Sequence, residues 1–139
     1  MVDESQDSLN KVRILYVEDD FINQIVVKNL LKSLGFEDIV VADDAQKTLK
    51  LLENSKNNFD IILMDIGLPD IDGISLTEKI RQSNFKLNSI PIIAISGNDD
   101  IVNQQKSYLA GMNGFLSKPV EKEQLLLTIK DVINKKIVL

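Results

Sequence analysis

The chain has 139 residues, 44% of them hydrophobic, which is enough for the core of one domain, and its formal net charge of -5 argues against general binding to nucleic acid or to a membrane surface. It contains no cysteine and no histidine, which excludes disulfides, thiolate nucleophiles, zinc-thiolate sites, imidazole ligands, Ser-His pairs and phosphohistidine carried by the chain itself. No apolar run approaches the roughly 18 residues of a spanning helix, and Met1 to Asn10 is polar without a signal pattern, so the expectation is a cytoplasmic chain with residues 1–10 as a flexible leader or linker and 11–139 as one folded domain.

From Val12 onward, short β-rich runs alternate with segments of helical period, the pattern of repeated βα units around a parallel sheet. Val12 to Val17 is the first expected strand and ends at the acidic pair Glu18-Asp19. Ile22, Ile25, Val26, Leu30, Leu31 and Leu34 recur at spacings of three and four, predicting an amphipathic helix stopped by Gly35. A second strand is expected over Asp38 to Ala42, then a helix marked by Ala45, Leu49 and Leu52 with Asp43 or Asp44 as its cap. The third strand, Phe59 to Met64, is almost wholly apolar and runs into Asp65, with Gly67, Pro69, Asp70, Asp72 and Gly73 close behind. Asp70 and Asp72 are read as serving that turn and the start of a third helix, which carries Ile74, Thr77, Ile80 and Arg81. Pro91 to Ile95 forms the fourth strand with Ser96 at its end, and a fourth helix runs from about Asp99 to Leu109 and stops at Gly111. Gly114 to Leu116 is the fifth strand, Lys118-Pro119 follows it, and the last helix, from Glu121 to about Asn134, turns Leu125, Leu126, Ile129, Val132 and Ile133 inward.

Five strands and five helices with right-handed crossovers leave few topologies. The expected fold is α/β: a three-layer, flavodoxin-like (βα)5 doubly wound parallel sheet in the order 2-1-3-4-5, with the charge-poor first and third strands side by side. Chemistry in such sheets sits in the crevice beyond the carboxyl ends of the strands, and there Glu18, Asp19 and Asp65 converge. Alone, Glu18-Asp19 reads as solvated surface or a helix cap. Three converging carboxylates repel one another, and a divalent cation is the simplest remedy. An oxygen-only donor set favours a hard ion such as Mg2+, with Asp19 and Asp65 as direct ligands, Glu18 acting through water and a backbone carbonyl at Gly67 adding another. Lys118 offers a fixed positive charge to Asp65 or to an oxyanion built on it, and Ser96 a hydroxyl donor. These parts suit phosphoryl transfer to a carboxylate, in which a protein positions groups and neutralises developing charge.

With Val17-Glu18-Asp19, Leu63-Met64-Asp65 followed by Leu68-Pro69 and Asp72-Gly73, Ala94-Ile95-Ser96-Gly97, and Phe115-Leu116-Ser117-Lys118-Pro119 in that order, the chain resembles a response-regulator receiver domain from Val12 to about Asn134. Each motif alone is weak, whereas the ordered set is specific. The resemblance implies that Asp65 takes a phosphoryl group from a phosphohistidine donor and that Glu18, Asp19 and Asp65 bind Mg2+. It implies that Ser96, Lys118 and Phe115 report the phosphoryl group to the surface, Ser96 and Phe115 as the switch, and that Lys118-Pro119 is a cis bond that aims the lysine. By itself Phe115, an aromatic in a short strand, reads equally as core. Asn23-Gln24 and the run Ala110-Gly111-Met112-Asn113-Gly114-Phe115 are similar to receivers attached to hybrid histidine kinases, where Asn is frequent at the position of Asp20. Gly67 and Asn98 flank the family's route for hydrolytic water.

The implied partners are a sensor histidine kinase or a histidine phosphotransfer domain, with an output domain or effector protein downstream, and neither nucleic acid nor a membrane bound by this chain. The implied chemistry is not that of an enzyme acting on other molecules but catalysis of the domain's own phosphorylation and dephosphorylation. A Mg2+-dependent phosphatase of the haloacid-dehalogenase type would use the same acids, yet it places a second Asp two residues after the nucleophile, where this chain has Gly67. A degenerate receiver used only for docking would lack part of the site, and no member is missing.

Overall fold

Short β-branched runs become strands and the amphipathic segments between them become helices. The computed structural model describes residues 9–97 and 101–138, with side chains to residue 134. The strands are β1 (Arg13–Val17), β2 (Asp38–Ala42), β3 (Ile61–Asp65), β4 (Ile92–Ser96) and β5 (Gly114–Ser117), all paired in parallel in the order β2-β1-β3-β4-β5, as expected. The helices are α1 (Phe21–Leu34), α2 (Ala45–Glu53), α3 (Gly73–Gln82), α4 (Ile101–Ala110) and α5 (Lys122–Val138). Asp99, where the fourth helix was expected to begin, lies outside the described residues.

Because successive strand side chains face opposite sides, each strand feeds two cores. Leu15, Val17, Ile62, Met64, Ile92 and Ala94 pack with Leu52 of α2 and with Leu76 and Ile80 of α3. Ile14, Tyr16, Ile61, Leu63, Ile93 and Ile95 pack on the other side with Val27 and Leu31 of α1 and with Leu125, Ile129 and Val132 of α5. Each aliphatic side chain so covered contributes about 1.5–3 kcal/mol, and β3 and β4 are buried along their whole length.

Polar residues set the ends of the elements. Asp60 lies before β3 rather than in it: its N–H donates to the Arg13 carbonyl and its carboxylate accepts the Arg13 N–H, both at 2.8 Å. At the other end the strands run one residue further than their apolar runs, so Asp65 pairs with Ile95 and Ser96 with Ser117 as strand residues. Asp20, Asp44 and Asp72 cap α1, α2 and α3, accepting the N–H groups of Asn23, Lys47 and Ser75 at 3.0, 2.8 and 2.9 Å. Asp44 is thus the α2 cap, and Asp43 pairs with Lys47 on the surface. Asp70 goes beyond its expected turn role: it accepts the Ile71 N–H, and also those of Ala45 and Gln46, bracing the loop after Asp65 against the start of α2. Burial works to raise Asp70, but the N–H groups of Ala45, its own backbone, Gln46 and Ile71 hold it below the usual carboxylate range.

One expectation fails and another holds only in part. Leu9, placed in the flexible leader, is buried beside Gly35, and its carbonyl accepts the Val12 N–H at 3.1 Å, because an apolar side chain within reach of the α1 end leaves water. The other leader residues up to 8 lie outside the described residues. In α1 the apolar positions do not all face inward. Val27 and Leu31 are buried, but Phe21, Ile22, Ile25 and Val26 are 70%, 66%, 44% and 51% exposed, since the helix carries more apolar surface than the sheet and α5 cover.

Gly73 joins fold to site. A Cβ on it would lie 2.5 Å from the Asp65 carbonyl oxygen and 2.9 Å from the Ile66 Cα, both backbone atoms that cannot step aside. Gly73→Ala is expected to destabilise the protein by about 2 kcal/mol, read as a lowered urea midpoint, and to weaken whatever binds at Asp65.

Candidate functional site

The 2-1-3 strand order sets the carboxyl ends of β1 and β3 side by side, and the acidic residues gather there. Glu18, Asp19 and Asp65 each offer a carboxylate oxygen, and these oxygens lie within 4.8 Å of one another. From the turn after β5, Lys118 Nζ reaches to 3.3 Å from Asp65 Oδ2 and 3.4 Å from Glu18 Oε1. Glu18 and Asp65 are buried, at 1% and 4% exposure, while Asp19 faces solvent. Asp65 Oδ1 accepts the Gly67 N–H at 2.9 Å, so the turn after β3 orients the carboxylate that precedes it. The Lys118–Pro119 bond is cis, as the resemblance implied.

Ser96 closes β4 one strand away from Asp65, buried, with its carbonyl accepting the Lys118 N–H at 2.8 Å. Phe115 is not gathered with the acids. It lies on edge strand β5, opposite Ala94, half-buried against the core under α2 and α3, and beside Tyr108 and Leu127 in a surface groove. Asn98 lies outside the described residues.

Three contacts that hold Glu18 escaped the sequence reading, which noted Asp20 and Gln24 but not their bonds to Glu18 and did not single out Tyr16. Tyr16 donates its hydroxyl to Glu18 Oε1 at 3.2 Å, Asp20 donates its N–H to Glu18 Oε2 at 3.2 Å, and Gln24 Nε2 donates to the Glu18 carbonyl at 2.6 Å. The available signal was a phenol near the end of β1, two residues before Glu18, a spacing that turns the two side chains to one side where the extended backbone continues.

Charge is poorly balanced in this crevice: three carboxylates face one ammonium. Burial, a hydrogen bond to Asp65 and the Asp65 charge push the Glu18 carboxyl up to about 7. Burial works to lower Lys118, but the charges of Asp65 and Glu18 outweigh it and raise the ammonium above its ordinary value. Burial, then the Glu18 charge, pushes the Tyr16 phenol up, so it stays a donor. An all-oxygen set with surplus negative charge suits a hard divalent cation, and the residues present fit Mg2+. A buried carboxylate next to a lysine, at a rim where a cation can join, is an arrangement that can act as a nucleophile and stabilise the anion it forms.

The family model for the response regulator receiver domain matches residues 14–130. Over 117 residues the chain is 38% identical to the osmosensing histidine protein kinase SLN1 of Saccharomyces cerevisiae, a match covering 82% of this chain and 9% of that protein. It is 35% identical over 127 residues to the sensor histidine kinase RcsC of Salmonella typhi, covering 91% of this chain and 13% of the kinase. The chain therefore spans about a tenth of the length of these curated relatives. Among solved structures, the receiver domain of the sensor histidine kinase PA1611 from Pseudomonas aeruginosa, with a magnesium ion coordinated in its active site cleft, matches with a TM-score of 0.78 at 33% identity, covering 88% of this chain and 98% of that one. A CheY-like response regulator receiver domain protein from Methanospirillum hungatei matches with a TM-score of 0.77 at 31% identity, covering 89% and 94%. Among the described residues no helix is long and apolar enough to cross a membrane.

Proposed function

The chain belongs to the response-regulator receiver domains of two-component signalling, and from that premise we propose that Asp65 accepts a phosphoryl group from a phosphohistidine in a Mg2+-dependent reaction. The observation that carries this reading is Lys118 Nζ at 3.3 Å from Asp65 Oδ2 within the carboxylate cluster. An Asp65 oxygen attacks phosphorus in line. The new O–P bond forms as the donor's N–P bond breaks, and the imidazole nitrogen keeps the electron pair. Lys118, already beside the acceptor, faces the oxygens on which charge gathers. Held by Asp19, Asp65 and the Gly67 carbonyl, with Glu18 acting through water, Mg2+ would supply charge neutralisation at the phosphoryl oxygens.

The product is an acyl phosphate. Ser96 then turns its hydroxyl toward the new oxyanion, Phe115 moves inward behind it, and the face formed by α4, β5 and α5 presents a different surface to an output domain or effector. Such a shift needs a few kcal/mol of differential contact. The domain catalyses its own phosphorylation and dephosphorylation and no other reaction. A sensor histidine kinase or a histidine phosphotransfer domain is the donor, and the reading places the reaction in the cytoplasm.

The decisive experiment is incubation of the purified protein with a small acyl-phosphate donor, followed by intact mass measurement. One phosphoryl group is expected with Mg2+ and none with excess EDTA, and an unchanged mass in both would end the proposal. The exposed apolar start of α1, beside the site, supports docking of a partner helix there. Ile25→Glu is therefore expected to slow transfer from a phosphohistidine protein about tenfold while leaving the small donor's rate unchanged. Equal slowing of both would show that the face plays no part in docking.

A further inference from the structure

We propose that Tyr16 is a positioning residue for the cation site: its hydroxyl holds Glu18 toward Asp19 and Asp65, so that Lys118 is free to serve the acceptor. This inference rests on the phosphoacceptor reading above. Glu18 Oε1 has two donors, the Tyr16 hydroxyl at 3.2 Å and Lys118 Nζ at 3.4 Å, whereas Oε2 takes the Asp20 N–H at 3.2 Å. Lys118 is shared, since the same ammonium stands 3.3 Å from Asp65 Oδ2. When a phosphoryl group arrives on Asp65, new anionic oxygens compete for that ammonium. Glu18 Oε1 is then left with the phenol alone.

The phenol suits that task because it is anchored where it stands. Tyr16 has no solvent exposure, is a β1 residue in the core between the sheet, α1 and α5, and lies two residues before Glu18, which directly follows the strand. Its oxygen is also within 3.4 Å of the Asn23 carbonyl, which gives the hydroxyl proton a second acceptor and the phenol a fixed place against α1. Lys118, by contrast, has a long flexible stem and lies on a turn. With Tyr16 present, both Glu18 oxygens keep a donor from β1 or its following loop whatever Lys118 does. Without the hydroxyl, Glu18 must either hold Lys118 back from Asp65 or swing away from the other acids.

Tyr16→Phe keeps the ring and its packing and removes only this donor. Calorimetric titration is expected to show Mg2+ binding about tenfold weaker than in the wild type, the order of one lost hydrogen bond to a charged group. Phosphorylation by a small donor should need correspondingly more Mg2+ and recover most of its maximal rate at saturation. The tyrosine also reports on itself, because the chain has two tyrosines and no tryptophan. In a Tyr108→Phe background, the emission of Tyr16, quenched by its carboxylate partner, should change with Mg2+ at the calorimetric midpoint and cease to do so after Glu18→Gln. If the wild type binds no Mg2+, both the reading and this inference fall. If it binds and Tyr16→Phe binds within twofold as well, the inference alone falls. It falls equally if Tyr16→Phe is weakened but Tyr16 emission ignores Mg2+, because the loss then does not pass through the Tyr16–Glu18 hydrogen bond.

Discussion

Asp65→Asn is expected to abolish phosphorylation by any donor, with no phosphoryl mass gained even at saturating Mg2+. The amide keeps the shape of the carboxylate but lacks the anionic nucleophile, so no residual rate from a weakened site remains. The same change should leave the fold intact or make it about 1 kcal/mol more stable, because it removes one of three mutually repelling carboxylates, a buried one held for function. Lys118→Ala should act oppositely on stability. It withdraws the ammonium that contacts two buried carboxylates, Asp65 at 3.3 Å and Glu18 at 3.4 Å, and is expected to cost about 2 kcal/mol in the absence of Mg2+ while slowing phosphorylation about a hundredfold. Intact mass and urea midpoints measured on the two variants together check the assignment. Phosphorylation of Asp65→Asn at the wild-type level would remove Asp65 from its role, and matching stability losses in both variants would contradict a charge balance of three carboxylates against one ammonium.

A steep pH response is expected next, with opposite signs in the presence and absence of the cation. The Glu18 carboxyl stands at about 7 in the folded protein against its ordinary 4.5, first because it is buried and then because Asp65 is beside it. A group whose folded value is raised contributes stability in full below its unfolded value and loses that contribution as the pH climbs through the folded value. Metal-free protein should therefore lose about 3 kcal/mol between pH 5 and pH 8 through this group. Mg2+ held at this cluster would need the ionised carboxylate, so its affinity should rise by up to about tenfold per pH unit toward 7 and level off above it. Glu18→Gln should flatten both responses. Urea midpoints with EDTA across that range isolate the first slope when wild type and variant are compared, because the other acids cancel. Calorimetry isolates the second. A wild-type curve parallel to that of Glu18→Gln would remove Glu18 as the source.

The pattern of apolar runs was sufficient for the sheet. Short β-rich, largely apolar runs marked all five strands, and the one-residue extension of β3, β4 and β5 was missed because Asp65, Ser96 and Ser117 are polar, whereas ladder pairing depends on the backbone. The cluster of Glu18, Asp19, Asp65 and Lys118 was legible because each member closes or follows a strand, and strand order brings those ends together. Helical period misled at α1. Spacing identifies an apolar stripe but not how much of it a neighbour covers, and the exposed side chains from Phe21 to Val26 show the difference. Asp70 was similarly ambiguous: a turn-forming aspartate looks the same in sequence whether it serves its own loop or, as here, also reaches Ala45 and Gln46 across to α2.

The chain's own order of residues determined which chemistry is available: carboxylates and a lysine without histidine or cysteine, set at strand ends of a parallel sheet. Only the folded arrangement decided how those groups share one another. Lys118 divides itself between Asp65 and Glu18, Tyr16 holds the oxygen that Lys118 can leave, and Gly73 presses α3 onto the Asp65 backbone. Hydrogen bonds and close approaches of this kind join residues far apart in sequence over distances of about 3 Å, and local periodicity carries no information at that scale.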